Sequence, residues 1–242
     1  MRALVLAVVC VLAFLAAGPA RAIVGGQPAA PDVAAQTAMI VSTRGASCTG
    51  SVLAPDVVLT AAHCVQPAAN YAVAVIEPTG PRIIPASRIA LHPRFDPGSF
   101  DSRRPTPDLA LVKLAEPLPA RFRPARLGTD AALPAKGTVF TLAGFGVVRD
   151  GDGKSAGTLR SLDLPSIGTT GGIMIRLSAG STGGGCTGDS GGPVMAGGAV
   201  VAVIGWSTAA GGARGCGGVT GATWVGTQRE WIETTARSMG VR

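Results

Sequence analysis

The chain has 242 residues, 47% hydrophobic and 14% charged, with 35 glycines, 18 prolines and a formal net charge of +7. So many chain breakers exclude long helices and favour short strands joined by turns, and the length suffices for one large domain or two small ones with a sizeable core. No dense Lys/Arg run with interleaved aromatics occurs, Arg103-Arg104 being only a pair; a modestly basic soluble protein with no nucleic-acid partner is expected.

Met1-Arg2 opens the chain with a positive charge, and residues 3–17 are almost wholly apolar. Gly18-Pro19 then breaks any helix, and Ala20-Arg21-Ala22 supplies small residues at both positions that a signal peptidase reads. Residues 1–22 are therefore expected to be a secretory signal peptide, cut after Ala22. The apolar run is too short to span a membrane comfortably, so no stable membrane insertion is expected. Cleavage removes Cys10, Arg2, Arg21 and no acidic residue, lowering the net charge from +7 to +5. Cys48, Cys64, Cys186 and Cys216 remain. In an exported chain they suggest two disulfides, with three pairings open. Two histidines and no zinc-finger spacing leave little for a metal site.

In chain order, residues 38–41, 57–59, 72–76, 109–114, 139–143, 173–177 and 200–204 are apolar runs of strand length, several rich in Val and Ile. Turn signals separate them, among them Pro78-Thr79-Gly80-Pro81, Asp96-Pro97-Gly98 and Asp150-Gly151-Asp152-Gly153. This spacing reads as all-β, a sandwich or barrels. Glu116-Pro117-Leu118-Pro119-Ala120-Arg121 is the best boundary between two halves. One helix is expected over about 228–239. Thr227 and Glu230 form a capping-box pattern, Trp231, Ile232, Thr235, Ala236 and Met239 recur at helical spacing, and Gly240 stops it.

Three segments carry chemistry. In Gly188-Asp189-Ser190-Gly191-Gly192-Pro193, glycines let the backbone approach a substrate closely, and such a turn can aim two N–H groups at one oxygen beside an exposed hydroxyl. Leu59-Thr60-Ala61-Ala62-His63-Cys64 runs an apolar strand into a histidine that a disulfide would pin. Pro107-Asp108-Leu109-Ala110-Leu111-Val112 sets an acid at the start of an apolar strand, where burial demands a partner such as a histidine N–H.

Together these segments resemble the trypsin/chymotrypsin-like serine protease family. The order His63, Asp108, Ser190 is that family's order, and TAAHC, DLAL, GDSGGP and the Ile23-Val24-Gly25-Gly26 start match its motifs. The resemblance implies an all-β fold of two six-stranded antiparallel β-barrels packed face to face with a C-terminal helix. The first barrel would cover about 23–118 and the second about 119–226, within a peptidase domain of 23–242. It also implies a Ser190 nucleophile, a His63 base and an orienting Asp108, with an oxyanion hole from the N–H groups of Gly188 and Ser190. The family's pairings would be Cys48–Cys64 and Cys186–Cys216, and its activation pair Ile23 with Asp189. No propeptide fits between leader and Ile23, so signal peptidase would itself create the active terminus.

The specificity pocket would comprise Gly184, Gly185, Trp206, Ser207 and Gly218. Relatives that cut after Lys or Arg carry an Asp six residues before the nucleophile; here that slot is Gly184. A pocket without a carboxylate does not offset the desolvation of a cation, so small to medium apolar P1 residues are expected, with Arg214 leaving acidic P1 as the alternative. Where the family often has Ser-Trp-Gly, this chain has Gly205-Trp206-Ser207. That removes a hydroxyl from beside Asp108 and narrows the pocket mouth. Glu77 stands alone, so no calcium loop is expected, and His92, in Leu91-His92-Pro93, reads as structural or solvated. The expectation is a cofactor-free, monomeric, secreted or periplasmic endopeptidase acting on protein or peptide substrates; the alternative is a catalytically silent binding protein of the same fold.

Overall fold

The computed structural model describes residues 23–102, 104–181 and 183–241; the expected leader lies outside them. The strands are β1 (Gln27–Pro28), β2 (Thr37–Ser42), β3 (Ser47–Ala54), β4 (Val57–Thr60), β5 (Tyr71–Glu77), β6 (Gly80–Leu91), β7 (Ala110–Leu114), β8 (Arg126–Leu127), β9 (Val139–Gly144), β10 (Arg160–Thr170), β11 (Met174–Leu177), β12 (Pro193–Ala196), β13 (Ala199–Ser207) and β14 (Thr220–Trp224). Besides the expected C-terminal helix there are three short ones, α1 (Pro31–Gln36), α2 (Ala62–Val65) and α3 (Ser99–Ser102), followed by α4 (Arg229–Ser238). None of the described helices is long and apolar enough to cross a membrane.

The first barrel closes in the order β2-β3-β4-β7-β6-β5, with β5 pairing back onto β2. Its strands show why. In β5 Tyr71, Val73 and Val75 point inward while their neighbours face out, the period-two pattern of a sheet with one covered face, whereas every residue of β4 is buried. The second barrel runs β10-β11-β14-β13-β12-β9 and closes through β9–β10. One long strand makes this possible: residues 160–165 of β10 pair with β9, and beyond a register shift near Gly168 its end pairs with β11. Such irregularities let a strand bend around a barrel corner. The segment starting at Ile23 joins this second barrel, β1 pairing with β10 and Val24 bridging to Gly184, although the sequence groups it with the first half.

Each barrel has its own apolar filling, and a third cluster joins them. Leu59, Leu109 and Leu111 of the first barrel meet Met195, Val200 and Val203 of the second, and Ile232 and Ala236 of α4, with Met239 just after it, pack against both. Burying Ile232 completely contributes about 1.5–3 kcal/mol. The capping box does not form. Thr227 lies in a 3₁₀ turn that precedes α4, and its hydroxyl donates to Trp224 O at 3.1 Å rather than capping the helix. Gln228 takes the cap position without a side-chain cap bond. Tertiary packing, not the cap, fixes this helix start.

Candidate active site

Barrel topology brings His63 and Asp108 together. β4 and β7 are antiparallel neighbours, with Thr60 opposite Ala110. The residues just after β4 and just before β7 therefore emerge side by side. The backbone N–H of His63 donates to Asp108 Oδ1 at 2.9 Å, and Nδ1 pairs with Oδ2 at 2.6 Å. The two bonds fix the ring against a carboxylate whose side chain is 4% exposed, while the imidazole is 28% exposed. With Nδ1–H donating to the acid, Nε2 is the basic nitrogen. A Cys48–Cys64 disulfide ties α2 to β3 next to His63, and Phe100 sets its edge on the imidazole at a centroid distance of 5.3 Å.

Ser190 comes from the loop before β12 and shares with His63 a cavity of about 420 Å³. Around it the backbone is tied down at alternate points. Asp189 N–H donates to Cys186 O at 3.0 Å, Gly191 N–H to Ile204 O at 2.7 Å and Gly192 N–H to Asp189 O at 2.9 Å. Among the described residues the N–H groups of Gly188 and Ser190 donate to nothing. Gly188 holds φ +95°, a conformation that glycine adopts without a Cβ penalty. The structure also joins Cys186 to Cys216, bracing this loop against residues 207–219.

Asp189 is wholly buried, and its carboxylate accepts N–H bonds from Gly146 and Cys186, each at 2.8 Å. Burial pushes its pKa up to about 7, against the lowering effect of those two donors. Gly144 and Gly146 make the cradle: a Cβ on Gly144 would fall 2.9 Å from Asp189 Cγ, and one on Gly146 2.6 Å from it. Ile23 is wholly buried in the second barrel's core, and Val24 and Gly184 exchange backbone bonds of 3.0 and 3.1 Å.

Where the specificity pocket is expected, Gly184 and Gly185 are buried against Thr220. Thr220 Oγ1 accepts the Gly185 N–H at 2.8 Å, and a Cβ on Gly185 would meet Thr220 Cγ2 at 3.3 Å and Ser207 Cβ at 3.8 Å. Thr220 thus faces both glycines, and Ser207 faces Gly185. Gly217 stands by Gly184, whereas Gly218 turns to the backbone of Ala209 and Ala210. Trp206 Nε1 donates to Met174 Sδ at 3.3 Å, and with Met174 and Phe100 it walls a groove of about 530 Å³. Arg214 is exposed. Gly205 packs by the acid, a Cβ there lying 3.3 Å from Asp108 Oδ2. His92 lies away from the site, 4% exposed. Its ring packs on Trp231 at 4.6 Å, and its Nδ1 accepts the Arg94 N–H at 3.2 Å.

Sequence reasoning misses Gly144, Gly146, Thr220 and Phe100. Each is a common residue whose meaning lies in one distant neighbour. The Gly144-Phe145-Gly146 spacing, just after an apolar run, is the single signal that could have flagged a close backbone approach.

Two closed antiparallel barrels, with a histidine–carboxylate pair on one and a serine in a glycine-rich loop on the other, define the class. The trypsin family model matches residues 23–232, and the chain belongs to that family. Human serine protease 56 is 34% identical over 192 residues, 71% of this chain and 31% of that protein, so the chain spans under a third of that relative's length. Trypsin-3 of Salmo salar is 29% identical over 212 residues, 79% of this chain and 83% of the other. The solved structure of human heparin binding protein superposes with a TM-score of 0.72 at 24% identity, covering 88% of this chain and 96% of that one, a likeness of fold.

Proposed function

We propose that the chain is a secreted serine endopeptidase that hydrolyses peptide bonds through an acyl-enzyme. The observation that carries this reading is the 2.6 Å His63–Asp108 pair opening on the cavity that Ser190 shares. Ser190 Oγ attacks the scissile carbonyl while His63 Nε2 takes its proton, and the imidazolium that forms is stabilised by the ionised Asp108. The tetrahedral oxyanion is held by the N–H groups of Gly188 and Ser190, whose freedom from other acceptors supports that role. His63 returns the proton to the leaving amine, and water repeats the sequence on the ester.

Thr220 and Ser207, set opposite Gly184 and Gly185, favour small apolar P1 residues. Export with cleavage after Ala22 frees the Ile23 ammonium, which pairs with the buried Asp189 and orders the loop. A silent binding protein is favoured by one observation, the missing side chain at Gly205 beside Asp108. A fluorophosphonate probe separates the two readings. The exported protein is expected to label at Ser190, and Ser190→Ala to fold, stay unlabelled and lose its peptidase activity. Unlabelled wild-type protein, or peptidase activity surviving in Ser190→Ala, overturns the assignment.

A further inference from the structure

Thr49, in β3, is wholly buried at the seam between the barrels. Its N–H donates to Ser190 O at 2.8 Å. Its hydroxyl donates to Gly188 O at 2.8 Å and accepts the Phe145 N–H at 3.0 Å. Its own carbonyl accepts the Thr60 hydroxyl at 2.8 Å. One first-barrel residue thus holds the nucleophile's carbonyl, the carbonyl of the first oxyanion-hole glycine, and the middle of the Gly144-Phe145-Gly146 cradle.

The hydroxyl has one proton. Spending it on Gly188 O leaves its lone pairs for Phe145 N–H, so the two second-barrel segments are fixed against each other through a single oxygen. Gly188 has no side chain to anchor its peptide. Rotation of the 188–189 peptide would swing the Asp189 backbone, and with it the Ser190 N–H, out of line with the Gly188 N–H. The Asp189 N–H bond to Cys186 O restrains that peptide from within the loop; the Thr49 hydroxyl restrains its carbonyl from the first barrel, the one that carries His63 and Asp108. We propose that Thr49 is a positioning residue: through Gly188 and Phe145, its hydroxyl holds the oxyanion hole in its donating orientation and in register with the histidine. This inference rests on the peptidase reading.

The test compares Thr49→Val, which keeps the shape and removes the hydroxyl, with Thr49→Ser, which keeps the hydroxyl. Thr49→Ala serves as a second deletion should valine not fold. Rates are normalised to sites titrated with the fluorophosphonate. The probes are a peptide ester, a peptidyl boronic acid that forms a tetrahedral adduct on Ser190, and the cleaved product peptide. Loss of the hydroxyl is expected to lower kcat by about 10–100-fold with KM nearly unchanged, a fraction of the loss from deleting an oxyanion donor outright. Boronate affinity should fall by the same factor and product affinity should hold, with Thr49→Ser within about threefold of wild type in all three. Equal kcat and boronate affinity in the hydroxyl-deleted variants overturns the role of Thr49, as does a parallel loss of product binding. Wild-type protein that neither labels nor binds boronate overturns the peptidase reading itself, and the role of Thr49 with it.

Discussion

A single residue placed before Ile23 should cost the protein a pH-dependent part of its stability. With Ile23 in peptide linkage, burial raises Asp189 from 3.8 to about 7. That displacement of about 3 units corresponds to about 4 kcal/mol. Because the folded value is the higher one, the unfolded chain gives up its proton first. Stability is then lost as pH climbs from 3.8 towards 7 and is not regained above it. A free ammonium at Ile23 favours the ionised carboxylate and removes that penalty. The assay is urea unfolding of two Ser190→Ala proteins, one beginning at Ile23 and one with a glycine before it, so that autolysis plays no part. They should differ little near pH 4 and diverge up to neutrality, by as much as about 4 kcal/mol. In the protein that begins at Ile23, the pair raises the ammonium above its usual 7.7–8.0, so its contribution is complete below that range and fades as pH rises through the folded value. The glycine-extended protein with Ser190 intact should be inactive. A pH-independent difference between the two, or full activity in the extended protein, would refute the reasoning.

The other expectations concern the cradle, the pocket and the acid side. Gly146→Ala drives a Cβ to 2.6 Å from Asp189 Cγ and should lower kcat/KM by about 100-fold or more, as loss of an oxyanion donor does, while titration shows fewer active sites. Peptide libraries should be cut after Ala or Val. Replacing Ser207 and Thr220 together by glycine should raise cleavage after Leu or Phe by about 10–200-fold relative to Ala; an unchanged profile would show that these residues do not set P1. His92 is pushed down to about 4, first by burial and then by the Arg94 charge. Its depressed value means that stability is full above about 6.5 and is lost as pH falls towards 4, by up to about 3 kcal/mol. His92→Gln should flatten that part of the stability–pH profile.

The apolar runs and the three motif segments were legible because each is local. Burial on a barrel strand leaves a Val/Ile run, and TAAHC and GDSGGP keep their chemistry within a few residues. β6 was far less legible. It holds Pro81 and Pro85, and of its twelve residues one is buried, so neither apolar alternation nor composition marks it. The second barrel closes through β10, whose Pro165 and Gly168 read as breakers but sit where the strand passes from one partner to the next. Thr49 and Thr220 look like ordinary strand threonines. Thr49 earns its role from Gly188, 139 positions away, and Thr220 from Gly185, 35 positions away. The failed cap at Thr227 has the opposite cause: a good local pattern lost to the packing of Ile232 and Trp231.

On the peptidase reading, the placement of α4 bears on how the proposed site is assembled. His63, Asp108 and Ser190 all precede α4 in the chain, yet α4 is the element that straps the two halves. Trp231 packs at a tilt against His92, Gln228 accepts from Arg94 at 3.0 Å, and Ser238 O accepts from Arg88 at 3.1 Å, all on the first-barrel side. A nascent chain that already carries serine, histidine and acid still lacks this clasp. On the peptidase reading, assembly of a site drawn from both barrels therefore depends on α4 being folded across them as well as on the freed Ile23 terminus.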